Sequence, residues 1–176
     1  MWLHVRAFDA QGDIVAESGR YDTATHTLIR DADIRVYEAK QGITPEFAAV
    51  VGEPAGASFH FILNNTVIKD NRIPPRGYTV AGWNTRGLRP VGATYADGQH
   101  WDDVVYAVPE SVVRVSVILY YQTASAEYID FLKRTGGVDG AALHDLWTRS
   151  PSPPVVMAMA ADPAIILYMP ILAKDG

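Results

Sequence analysis

The run VVRVSVILYYQT, residues 112–123, constrains the fold more than any other stretch of the chain. Val113, Val115, Val117, Leu119 and Tyr121 recur with period two and β-branched residues dominate, which suits a pleated, half-buried strand better than a helix. WLHVRAF, residues 2–8, alternates in the same way, with Trp2, His4, Arg6 and Phe8 opposing Leu3, Val5 and Ala7. DAQGD then supplies a turn containing Gly12 and IVAES returns, which is a hairpin signal. TLIRD and DIRVYEAK continue as short strands, and one helical turn is expected after Pro45.

In SFHFILNNTVIKD, residues 58–70, Phe59, Phe61 and Leu63 share one side of a period-two pattern, so this segment is expected to be the best strand of the first half. A Gly- and Pro-rich region follows, from Asp70 to about His100. Long structureless loops are uncommon in compact domains, so short strands are expected through YTVAGW and PVGATY, and DDVVYAVP is expected to pair with the run after it.

The period then changes. SAEYIDFLKRTGG reads as a helix with Ser125 as its cap and Gly136 just past its end. VDGAALHDLWTR reads as a second, capped by Asp139 and stopped by SPSPP. The apolar stretch from Val155 to Leu172 is interrupted by Asp162, Pro163 and Pro170. A membrane span needs about 20 mostly apolar residues without such breaks, so VVMAMA and AIILYMP are expected as two buried strands. The fold class is therefore mainly β: an immunoglobulin-like or jelly-roll-like β-sandwich with two short helices in the C-terminal third. Its 176 residues are read as one domain, 1–176.

A net charge of −5 argues against a nucleic-acid partner, which calls for a basic footprint. The phosphate-cradling patterns G-x-x-x-x-G-K-[ST] and G-x-G-x-x-G are absent. With no cysteine, this chain holds no disulfide, thiolate nucleophile, Cys-ligated metal or C-x-x-C-H haem attachment. No serine stands in a G-x-S-x-G context, and the five histidines form no H-x-x-x-H pair. No catalytic residue is assigned.

The candidate site is the segment running from KDNRIPPRGYTVAGW to YADGQHWDD. Asp97, Asp102 and Asp103 place three carboxylates close together, and Asp70 with Asn71 add oxygen donors, a set that suits calcium if the loops converge. The alternative is that Asp97 caps a turn while Asp102 and Asp103 face water or Arg72 and Arg76. Tyr78, Trp83, Tyr95 and Trp101 are either an exposed platform for a sugar or protein, or the plug of an open sandwich end. Pro74 and Pro75 stiffen the chain between Arg72 and Arg76. The two guanidiniums then either staple a crossover or present a rigid loop to another polypeptide. The residues expected to make contacts are Arg72, Arg76, Tyr78, Trp83 and Trp101.

DNRIPPRGY, followed by YADGQHWDDVVYAVP and VILYYQTASAEYIDFL, resembles the C-terminal β-rich region of exported bacterial multihaem c-type cytochrome-family proteins. The similarity runs from about Asp31 to Val156. It implies an accessory or assembly module, periplasmic or extracellular, detached from a longer exported protein. Its implied partner is a haem-bearing segment or chain of a cytochrome, or a second copy of itself. Haem attachment in that family lies in a separate segment, so no haem role passes to any residue here. A calcium-stabilised carbohydrate-binding sandwich and a hydrolase with a loop-built site are the rival expectations.

Overall fold

A computed structural model of the chain describes residues 1–163. In chain order the strands and helices begin with β1 (Trp2–Phe8), β2 (Ile14–Ser18), β3 (Tyr21–Asp22), β4 (Thr27–Leu28) and β5 (Ala39–Ile43). Next come α1 (Pro45–Val51), β6 (Gly56–Ala57), β7 (Thr66–Asp70) and α2 (Val80–Thr85). The last are β8 (Arg114–Tyr121), α3 (Ala126–Thr135), α4 (Gly137–Arg149) and β9 (Val155–Pro163). The fold is mainly β, built from antiparallel sheets with a few short helices. The described residues divide into two compact units, one of Met1–Val36 with residues 104–163, the other of Tyr37–Asp103.

The first unit holds a four-stranded sheet in the order β2-β1-β8-β9 and the small β3-β4 pair. The two runs with the clearest alternation are its central strands. Their register pairs Leu3 with Leu119, Val5 with Val117 and Ala7 with Val115 on one face. Trp2 with Tyr120, His4 with Ile118, Arg6 with Ser116 and Phe8 with Arg114 occupy the other. Leu3, Val5, Ala7 and Leu119 are buried, and so are Trp2, Phe8 and Ile118. The β1–β2 hairpin turns as expected, with Asp9 Oδ1 accepting from the backbone N–H groups of Gln11 and Asp13.

Gly19 closes the second strand where little else fits: its φ is +74°, and a Cβ there would stand 2.1 Å from the Leu3 carbonyl oxygen. Beside it, the Asp31 carboxylate accepts from Ser18 Oγ at 2.8 Å, Gly19 N–H at 2.7 Å and Asp33 N–H at 3.0 Å. Burial alone would raise the Asp31 pKa; the bonds from Gly19, Ser18 and Asp33 outweigh it and hold the carboxyl below the usual value of about 3.9.

α3 follows its expected signals, with Ser125 Oγ accepting from Tyr128 N–H and Gly136 N–H reaching the Leu132 carbonyl. α4 corrects one of them. It starts at Gly137 with Gly136 as N-cap, and Asp139 lies in its first turn instead of capping it. One glycine both ends α3 and begins α4, leaving no connecting loop. The tight reversal brings Gly140 so near α3 that a Cβ would stand 2.0 Å from the Leu132 carbonyl oxygen.

In the second unit β5 lies between β6 and β7. α1 forms where Pro45 marked it, capped by Thr44 and closed by Gly52 in the left-handed region. Other expectations change. Residues 58–64 are not a strand: Ser58 Oγ accepts from His60 N–H, and Asn64 Nδ2 donates to the Ser58 carbonyl, folding the segment into turns. These side chains outcompete a sheet partner for the backbone, and Ile62 is left 98% exposed. YTVAGW holds α2 instead of a strand. PVGATY contributes only the bridge between Val91 and Asp70, and DDVVYAVP forms no strand. VVMAMA does form β9, but as the last strand of the described sheet its side chains are exposed, Met159 by 69%. AIILYMP lies outside the described residues.

The first unit's packing sets two expectations. Gly140→Ala is expected to destabilise by about 1–3 kcal/mol, since backbone must move to admit the methyl group; a lowered urea midpoint at unchanged slope reads this, and an unchanged midpoint would contradict so close a crossing. Asp31, with its folded pKa depressed, contributes stability that is present above about pH 3.9 and lost as pH falls through its folded value. Asp31→Asn is therefore expected to melt below wild type at pH 7, with the gap narrowing as wild type is acidified.

Candidate functional site

The candidate residues all belong to the Tyr37–Asp103 unit, and they are organised around Asn71. Asn71 is 3% exposed. Its Oδ1 accepts from Glu38 N–H at 3.0 Å, its own N–H donates to the Glu38 carbonyl at 3.3 Å, and its carbonyl accepts from the Tyr95 hydroxyl at 2.9 Å. One residue before it, Asp70 exchanges both backbone hydrogen bonds with Val91, at 2.8 and 2.9 Å. Two consecutive residues thus tie the chain at 38, 91 and 95 together. Glu38 in turn receives Lys69 Nζ at 3.0 Å and Lys40 Nζ at 3.3 Å.

The charge of this segment is paired locally. Arg72 donates through Nε to Asp70 Oδ1 at 2.8 Å and through Nη2 to Asp70 Oδ2 at 2.6 Å, a two-point fork. Those hydrogen bonds, more than the guanidinium charge, hold the Asp70 carboxyl below its usual range against the opposing effect of burial. Arg76 lies exposed between Pro75 and Gly77, where Gly77 takes φ +83° and Tyr78 N–H closes the turn onto the Pro75 carbonyl.

The remaining oxygen donors serve separate purposes. Asp97 Oδ1 accepts from Val80 N–H at 2.7 Å and, together with Thr79, caps α2. Asp102 Oδ2 accepts from the Tyr37 hydroxyl at 2.9 Å. Asp103 is exposed. Asp70, Asn71, Asp97 and Asp102 each have a partner of their own, and among the described residues no group of three or more His, Asp or Glu side chains is placed to hold a metal ion.

The aromatics separate into buried and exposed members. Tyr78 is 3% exposed, with its ring edge-on to Trp83 at 5.2 Å and its carbonyl accepting from Gly98 N–H. Expected as a contact residue, it is instead a core residue, because the turn at Gly77 points it inward. Tyr95 is buried beside its bond to Asn71, and Trp83 is half-buried. Trp101 is 39% exposed, with the His100 ring edge-on at 5.2 Å. Its backbone is fixed by Gln99, which donates to the Trp101 carbonyl and accepts from Ala96 N–H. The surface this frame presents is therefore Arg72, Arg76 and Trp101. Sequence reading missed Tyr37 and Glu38, whose partners lie 65 and 33 residues away with no local signal.

No protein-family model matches the chain, and no curated protein matches it. Among solved structures it is similar to a penta-haem cytochrome c552 from Thermochromatium tepidum, at 14% identity and a TM-score of 0.42. The match covers 93% of this chain but 30% of that cytochrome, so the chain spans less than a third of its length. A likeness this distant assigns no residue. No described helix is long and apolar enough to cross a membrane.

Asn71→Ala is expected to cost about 1–3 kcal/mol by stranding the Glu38 amide. Arg72→Ala, which removes a solvent-exposed ion pair, is expected to cost less than about 1 kcal/mol. Denaturant titration of both variants checks the order, and a larger loss for Arg72→Ala would make the arginine the anchor.

Proposed function

We propose that this chain is a non-catalytic structural and interaction module of a multihaem cytochrome electron-transfer system outside the cytoplasm. Its contact surface is the solvent-facing part of the 70–103 segment. The observation that carries the reading is the pinning of that segment at Asn71, in a segment along which Arg72, Arg76 and Trp101 are exposed. Binding costs less when the contacting side chains need not be immobilised first, and arginine and tryptophan are the types that carry interface energy most often. The sequence resemblance to the β-rich region of exported multihaem cytochrome-family proteins supplies the context, with a haem-bearing segment or chain as the partner.

The test begins with the coding sequence upstream of this chain, where in-frame C-x-x-C-H motifs would identify the partner segment. Calorimetric titration of that segment with the isolated chain is then expected to show binding that weakens at least tenfold, about 1.4 kcal/mol, in Trp101→Ala and in the Arg72→Ala/Arg76→Ala double variant. Thermal midpoints of both variants are expected to stay within a few degrees of wild type. Unfolding of the double variant would make the arginines structural, and unchanged affinity would remove the segment as the contact surface.

A further inference from the structure

We propose that Arg6, Ser116 and Arg114 form an oxyanion-binding site, for a phosphate or carboxylate group, on one face of the four-stranded sheet. Antiparallel pairing sets Arg6 opposite Ser116 and Phe8 opposite Arg114, and directly opposed residues share a face. The four therefore make a two-by-two patch on β1 and β8. The Arg114 guanidinium lies 3.7 Å from the centroid of the buried Phe8 ring, and that of Arg6 lies 5.7 Å from it.

Two like charges gathered at one ring repel unless something answers them. Within the described residues neither arginine has a carboxylate partner. Glu17 stands opposite Arg6 on β2, but its oxygens face His4 Nε2 at 2.9 Å and Arg20 Nε at 3.8 Å. The ring attracts a cation through its face and accepts no in-plane N–H bond, so the donor edges of both guanidiniums stay open. Arg6 Nε is buried and has no hydrogen-bond partner. Ser116, directly opposite Arg6, is 9% exposed.

A buried N–H without an acceptor is costly, and a charged oxygen is the acceptor that a guanidinium matches best. Two forks and a hydroxyl on one face of adjacent strands supply the donors an oxyanion needs, and the exposed Arg114 leaves one side of the patch open to solvent. The site rests on the sheet and not on the 70–103 segment, so its failure leaves the reading above untouched.

The experiment is a thermal-shift titration of the full chain with inorganic phosphate and, separately, succinate, each against potassium chloride at matched ionic strength. A ligand that binds only the folded chain raises the midpoint with concentration. The expected result is a rise with at least one of the two oxyanions beyond that with chloride. Arg114→Gln, an exposed substitution that leaves the fold intact, is expected to raise the half-saturating concentration at least about tenfold. Ser116→Ala is expected to raise it less, and Arg86→Gln, in the other unit, not at all. A response to phosphate alone assigns a tetrahedral oxyanion, and one to succinate alone a carboxylate. A midpoint that follows ionic strength only, or equal responses from the Arg114→Gln and Arg86→Gln variants, overturns the proposal.

Discussion

The pairing of β1 with β8 is the constraint on which the rest of the architecture rests. It joins residues 2–8 to residues 114–120 in seven consecutive register pairs, across more than a hundred residues of chain. Closing so long a loop is entropically expensive, although the cost grows only slowly with length, and the apolar pairs Leu3–Leu119 and Val5–Val117 offset it. Register follows from the same residues. A slip of one position would carry His4 and Arg6 onto the face now occupied by Leu3, Val5 and Ala7. The Tyr37–Asp103 unit leaves the first unit after Val36 and returns at Val104, so this pairing also brackets the candidate site.

That unit is held by a different balance of forces. Its buried members include Tyr37, Tyr78 and Tyr95 beside Ile43 and Ala48, so much of its core is aromatic surface with a polar end. Two of those hydroxyls reach into the candidate segment, Tyr95 to Asn71 and Tyr37 to Asp102. Tyrosine suits this position because its ring contributes buried area while its oxygen meets a backbone or carboxylate partner. Charge and stiffness between residues 69 and 83 thus have a common cause: a short, polar-cored unit fixes its longest connection with hydrogen bonds, proline and one forked ion pair.

Elements with local signals are legible in the amino-acid order. The alternation of β1 and β8, the hairpin at Asp9–Asp13, the helical turn after Pro45 and the Ser125 cap of α3 each depend on residues within a few positions of one another. Legibility fails where a side chain competes with the sheet for the backbone, as at Ser58 and Asn64. It fails also where a distant group completes a local element, as Asp97 does for α2 from 17 residues away. Period-two alternation in Phe59, Phe61 and Leu63 is a true pattern that no strand pairs with among the described residues.

The sequence by itself determined that the chain is mainly β, where its paired helices lie, and which segment concentrates rigidity and charge, because periodicity, caps and proline act through covalent neighbours. Only the tertiary structure decided what Asp70, Asn71, Asp97 and Asp102 do. Close together in the chain, they look like one set of oxygen ligands. In space they are taken up by Arg72, Glu38, Val80 and Tyr37 respectively, because each oxygen bonds the donor that the fold brings to it, whatever lies beside it in the sequence.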